Sequence, residues 1–153
     1  TDKKILDEFC RLTGYTAISF RSKDGTGVDI YHTNVMMCIA SSYVVICLNS
    51  IPDVQERKQL VDSFKGTNKG IIDISIGQLA HFAGNMLQVK NAGDELLLVM
   101  SSQAYQSLNK IQVMALEKHN RIIHSSLNEI ETAGGGSARC MMAEVHLPLL
   151  GQG

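Results

Sequence analysis

An apolar strand, a second one, a helix and a short third strand follow one another along this sequence, and then the same order returns. Residues 30–40 and 43–48 are apolar and β-branched and meet at Ser41 and Ser42, which reads as a hairpin facing a core. Ser50 and Pro52 mark a helix start, residues 54–64 fill the helix, GTNKG (66–70) is a loop, and residues 71–75 form a short strand. In the second round, residues 86–90 and 95–100 are strands around the turn NAGD. Ser101 or Ser102 then caps a helix or broken helix pair reaching about Asn120, and Ile122 and Ile123 begin another strand. The units span roughly 28–75 and 86–125 and share an order of elements rather than sequence identity. Such units stack as propeller-like blades more readily than they join into one doubly wound sheet. Outside them, residues 5–12 have helical spacing with Gly14 as a stop, and residues 15–20 read as a strand before the turn KDGTG. Residues 76–82 read as a short helix and 141–147 as a last strand. No linker divides the chain, so residues 1–153 are expected to form one α+β domain.

Composition narrows the function. With 44% hydrophobic residues among 153, a buried core is available, and a net charge of −1 without a basic stripe argues against a nucleic-acid partner. No apolar run approaches a membrane span and no signal peptide opens the chain, so the expectation is a cytoplasmic protein with no membrane partner. Cys10, Cys38 and Cys47 lie in apolar surroundings and read as buried thiols rather than a disulfide framework. The start at Thr1, opening at once on a helical pattern, reads as internal to a longer protein.

The chemistry concentrates in GGGSARC, residues 134–140. Three glycines cost backbone entropy and let a ligand or another backbone approach closely. A cysteine directly behind them, Cys140, is placed to be presented as a nucleophile, and loop N–H groups could stabilise an anion. Arg139 adds positive charge, on the opposite face if the segment is a strand. No GK[ST] follows, so this is not a phosphate loop. His32, in IYHTNVMM, is the candidate proton carrier. If that stretch is extended, Asn34 shares its face and could bind a polar substrate group. Gly84-Asn85 before an apolar strand is either a turn or a substrate-facing asparagine at a cleft. His119 and His124 read as solvated, and His81 and His146 as structural. Cys38, Cys47 and His32 lack the matched spacing of a zinc site, and Met36 and Met37 read as core.

Three segments, IYHTNVMMC (30–38), FAGNMLQV (82–89) and GGGSARCMMAEVHLP (134–148), resemble the amidinotransferase and arginine-deiminase superfamily in order and spacing. Within it they look closest to the branch that includes citrulline-utilisation hydrolases. The resemblance implies a pentein fold, a five-bladed α/β propeller of ββαβ units, of which this chain would hold about three blades. It implies Cys140 as nucleophile and His32 as general acid/base, with no metal or organic cofactor; Asn34, which departs from the family pattern, Asn85 and Gly136 are the residues expected to face substrate. Members of the branch are about twice as long, and their upstream half supplies carboxylates that grip the substrate. Asp24, Asp29 and Glu144 could substitute for them, although solvation of loop and surface is the reading their positions favour. The chain therefore resembles the C-terminal half, with the missing N-terminal half or another copy of itself as its protein partner. The implied activity is hydrolysis of carbon–nitrogen bonds in a small guanidino or ureido compound through a covalent thio-intermediate. Amidino transfer and a non-catalytic binding domain of the same fold are the alternatives, followed by an unrelated cysteine–histidine amidohydrolase.

Overall fold

The structure, a computed structural model, describes residues 2–143. It contains two separate three-stranded sheets, ordered β1-β2-β3 and β4-β5-β6. In the first, β1 (Met37–Ile39) pairs antiparallel with β2 (Tyr43–Ile46), which pairs in parallel with β3 (Gly70–Asp73). In the second, β4 (Leu87–Lys90) pairs antiparallel with β5 (Leu96–Ser101), and β5 in parallel with β6 (Arg121–Ser125). The recurring order is thus realised as two ββαβ units, each with its crossover on the parallel pair, where a helix is needed to return the chain.

The crossovers start where polar side chains satisfy the free N–H groups of a first helical turn. Residues 2–14 hold α1 (Lys3–Thr13), which stops at Gly14 in the left-handed region. A single turn, α2 (Thr33–Met36), precedes β1. Asp53 caps α3 (Val54–Gly66) by accepting from Gln55 N and Glu56 N, and Leu60 and Phe64 turn inward. Ser75 caps α4 (Ile76–Leu79), Ser101 caps α5 (Ser102–Ser107), and Asn109 caps α6 (Lys110–Glu117). The broken helix pair expected before Asn120 is therefore α5 and α6.

Tyr43, Val44, Val45 and Ile46 are all fully buried, as a middle strand covered on both faces should be. Polar contacts fix the two units relative to each other. Gln78 and Gln112, each at the third position of its helix, exchange amide hydrogen bonds (2.7 and 3.1 Å). Gln112 also donates to Asp73 O at 2.8 Å and Gln78 to Ser107 O at 2.8 Å. On the other side Tyr43 Oη and Gln88 Nε2 both donate to Asn120 Oδ1 (2.7 and 2.8 Å), and Ser41 N–H donates to Gln88 Oε1 (2.9 Å). The buried amides are engaged at both ends, which lets polar groups cross a core without a desolvation penalty.

Four expectations need correction. Residues 15–20 form no strand, and residues 30–36 are not extended throughout: β1 begins only at Met37. Strands exist where they have partners, and β2, which pairs with β1, ends at Ile46 and passes into a 3₁₀ turn over Leu48–Ser50. The Lys23–Asp29 bridge is the only other ladder contact among the described residues. The third concerns the glycine run, which is not wholly a loop. Gly134 ends an unexpected helix, α7 (Asn128–Gly134), and Gly135 closes it at φ 66. Of the last expected strand, Met141 closes a 3₁₀ turn (Ala138–Met141), and residues 144–147 lie outside the described residues.

The contact that joins the second unit to α2 is main chain on main chain. A Cβ built on Gly84 would collide with the Val35 carbonyl oxygen and lie 2.8 and 2.9 Å from Met36 C and Cα. These are backbone atoms that cannot swing aside. Replacing Gly84 with alanine is expected to destabilise the chain by about 3 kcal/mol, at the upper end of overpacking costs. The denaturant midpoint of Gly84→Ala against the parent measures it, and Gly134→Ala, whose Cβ meets nothing within 4 Å, is the mild control.

Candidate active site

Cys140, His32, Asn34, Asn85 and Gly136 line one cavity of about 220 Å³ together with Tyr31, Val35, Phe82, Gly134 and Gly135. The residues come from three places in the chain: the entry to α2, the turn before β4, and the end of α7 with the 3₁₀ turn behind it.

His32 is the N-cap of α2, extended at φ −131 and ψ 134, and its ring makes no capping bond. The ring is exposed and lies tilted against Tyr31, centroids 4.6 Å apart. Asn34 follows within the helical turn, so the shared strand face expected for the pair does not exist. The turn nevertheless brings both to the same cavity. Asn34 Oδ1 is buried with no hydrogen-bond partner. A buried acceptor without a donor costs about 1–3 kcal/mol.

Gly84-Asn85 is the turn the sequence suggested, and it is reached through Phe82 at φ 61, an uncommon conformation for an aromatic residue. Asn85 N–H donates to Phe82 O at 2.8 Å, closing the turn. The Asn85 side chain is buried at 3% exposure. Its Oδ1 accepts from Arg139 N–H (3.1 Å), and its Nδ2 donates to Asn34 O (3.0 Å) and to Cys140 Sγ (3.2 Å).

Cys140 sits in the 3₁₀ turn, its N–H donating to Ser137 O at 3.0 Å, and it is the exposed thiol of the four cysteines. A Cβ on Gly136 would lie 3.1 Å from Cys140 Cβ and 3.2 Å from Sγ, so the missing side chain keeps the sulfur uncovered. Below the loop Ser137 Oγ donates to the buried Glu131 carboxylate at 2.6 Å, tying the cysteine turn to α7. The sequence reading did not single out Glu131 or Ser137; charge and burial at position 131 become visible only once α7 is known to exist.

The remaining candidates lie elsewhere. Asp24 folds its own turn, accepting from Thr26 and Val28 N–H, which holds its carboxyl below the usual range, the Thr26 hydroxyl most of all. Asp29 pairs with Lys23 at 3.6 Å. Neither lines the cavity, and Glu144 and His146 lie outside the described residues. His119 and His124 are exposed, and each lies 3.0 Å from a serine hydroxyl (Ser42 and Ser102) and against a tyrosine ring. His81 is exposed as well, donating from Nδ1 to Gly77 O at 2.7 Å. Among the described residues no group of three or more His, Cys, Asp or Glu is placed to hold a metal. No described helix is long and apolar enough to cross a membrane.

Burial separates the thiols. Cys38 and Cys47 are fully buried, and burial pushes Cys38 up to about 11, only partly offset by the Arg139 guanidinium. Burial likewise raises Cys47. At pH 8 the native Cys38 thiolate is then about 100-fold scarcer than that of a thiol titrating at 9.0. Iodoacetamide at pH 8 is expected to label Cys140 while Cys38 and Cys47 stay unmodified until the chain unfolds, as read by peptide mass spectrometry.

Comparison with known proteins adds three findings. The sequence profile of the eukaryotic N,N-dimethylarginine dimethylhydrolases matches residues 1–147. No curated protein matches in sequence. In structure the chain is similar to apo ArgZ, an arginine dihydrolase from the ornithine–ammonia cycle in Cyanobacteria, with a TM-score of 0.71 and 16% identity over 98% of this chain. It is also similar to AgrE, solved as a ternary complex with ornithine and NAD+, with a TM-score of 0.59 and 18% identity over 80% of this chain. The chain spans 22% of the ArgZ chain and 16% of the AgrE chain.

Proposed function

The chain belongs to the eukaryotic N,N-dimethylarginine dimethylhydrolase family, within the pentein and arginine-deiminase-related superfamily, and from that premise we propose that it carries the nucleophilic half of a hydrolase site for carbon–nitrogen bonds of small guanidino or ureido compounds. The observation that carries the reading is the convergence of Cys140 and His32 on one cavity whose glycine wall leaves the sulfur open. The two ββαβ units are read as two blades of a five-bladed propeller, and the segment before them supplies no third sheet among the described residues.

The Cys140 thiolate attacks the planar central carbon of the substrate, forming a C–S bond. The C–N bond to the departing amine breaks, and His32 delivers the proton that amine requires. Water then adds to the same carbon, passing a proton back to His32, and the C–S bond breaks to return the thiolate. An amine in place of water would make the reaction an amidino transfer. Asn34, at the cavity wall, is assigned to a polar group of the substrate, and Gly136 lets the planar group lie against the sulfur. Tyr31 and Phe82 offer ring surface to a delocalised cation. Among the described residues no carboxylate lines the cavity, so the counter-charge for a guanidinium is assigned to a second polypeptide segment, such as another copy of the chain. An apolar face on α1 is available to such a partner, since Ile5, Phe9 and Leu12 are all more than half exposed.

A haloacetamidine, which presents an amidinium to a thiol, tests the reading. Single-site labelling of Cys140 is expected, slowed by dimethylarginine, arginine or citrulline. Labelling spread over several cysteines and indifferent to these compounds would sink it. In a protein that turns substrate over, Cys140→Ala is expected to abolish product while keeping the fold. His32→Ala is expected to cost at least ~100-fold in kcat, the ordinary scale for a general acid/base. Product identity by mass spectrometry separates hydrolysis from amidino transfer, and a near-normal rate in either variant would move the chemistry elsewhere.

A further inference from the structure

Two asparagines border the cavity, and their hydrogen bonds divide them. Asn34 leaves a buried oxygen unpartnered. Asn85 leaves neither end of its amide without a partner: Oδ1 receives Arg139 N–H at 3.1 Å, and Nδ2, with two hydrogens, reaches Asn34 O at 3.0 Å and Cys140 Sγ at 3.2 Å. Both of its N–H groups are accounted for, so it offers no donor to a substrate. Asn85 is also the one hydrogen-bond partner of the Cys140 sulfur among the described residues.

Resting on the reading of Cys140 as nucleophile, we propose that Asn85 is a positioning residue for that thiol: it aims a side-chain N–H at the sulfur and locks the backbone on both sides of the cavity around it. The amide binds the main chain of the residue before Cys140 and the main chain of Asn34, two residues after His32, so one side chain sets the spacing between the cysteine turn and the histidine turn. A donor directed at sulfur also binds its anionic form more strongly than its neutral form, because a hydrogen bond with an ionised partner is the stronger kind. The surroundings favour this geometry over chance contact. Asn85 is buried, and its turn is pressed onto α2 at Gly84 and held by the left-handed Phe82.

The test reads thiol reactivity and needs no guanidino compound. In Asn85→Asp the shape and the acceptor for Arg139 N–H remain, while both donors are lost and a carboxylate oxygen faces the sulfur. The iodoacetamide rate of Cys140 is expected to fall at least ~10-fold near neutral pH and its pH profile to move to higher pH, with Cys38 and Cys47 still protected. Asn85→Ala should show the same direction with a smaller displacement. A rate and profile within twofold of the parent would overturn the proposal, as would a variant whose only change is exposure of Cys38 and Cys47. If neither variant folds, the parent chain answers by NMR. The Asn85 side-chain amide resonances are expected to shift on Cys140→Ser and on alkylation of Cys140, and resonances indifferent to both would overturn the assignment. Failure of turnover with normal Asn85 dependence of alkylation would count against the proposed activity alone.

Discussion

The site depends on a place where two pieces of backbone touch. The Gly84–Asn85 turn lies against the main chain of Val35 and Met36 at a distance only a residue without Cβ allows. That contact sets Asn85 beside Asn34, and the Asn85 amide then takes hold of Arg139 and Cys140. Three segments far apart in the chain are thereby brought to one cavity. Main-chain contacts suit this task because they have no rotamers to relax. The position of the sulfur inherits the stiffness of two backbones.

Placement also divides residues of one type into different roles. Cys38 and Cys140 are both free thiols, yet Cys38 is fully buried and holds its proton far into the alkaline range, whereas Cys140 stands exposed at the glycine wall. Asn34 and Asn85 differ likewise, one with an oxygen lacking a donor and the other with its amide taken up by the protein. The open thiol stands in a small cavity walled by rings, glycines and the two asparagines.

The two ββαβ units are joined by neutral amides rather than by ion pairs. The Gln78–Gln112 exchange and the Asn120 cluster span the interface with every amide engaged. The salt bridges, such as Lys58–Asp62 and Arg121–Glu95, lie on exposed surface, where water and salt weaken them. Register between the units is therefore set by directional bonds in a partly buried seam, where a slip would leave the buried Gln112 and Asn120 amides unsatisfied.

Much of this was legible in the linear chain. Strand pairs separated by Ser41-Ser42 and by NAGD, helices opened by Asp53, Ser101 and Asn109, and a cysteine behind glycines are local patterns, and local chemistry suffices to read them. The sequence by itself determined the order of the two units and the candidates Cys140 and His32. It did not determine that residues 33–36 coil into a helical turn, that α7 exists, or that residues 15–20 remain without a sheet partner. Pairing decides whether an apolar stretch is a strand, and the partner strand lies elsewhere in the chain. The role of Asn85 belongs to the same class. Its partners are 51 and 55 positions away, and only the tertiary fold brings an amide nitrogen to a sulfur.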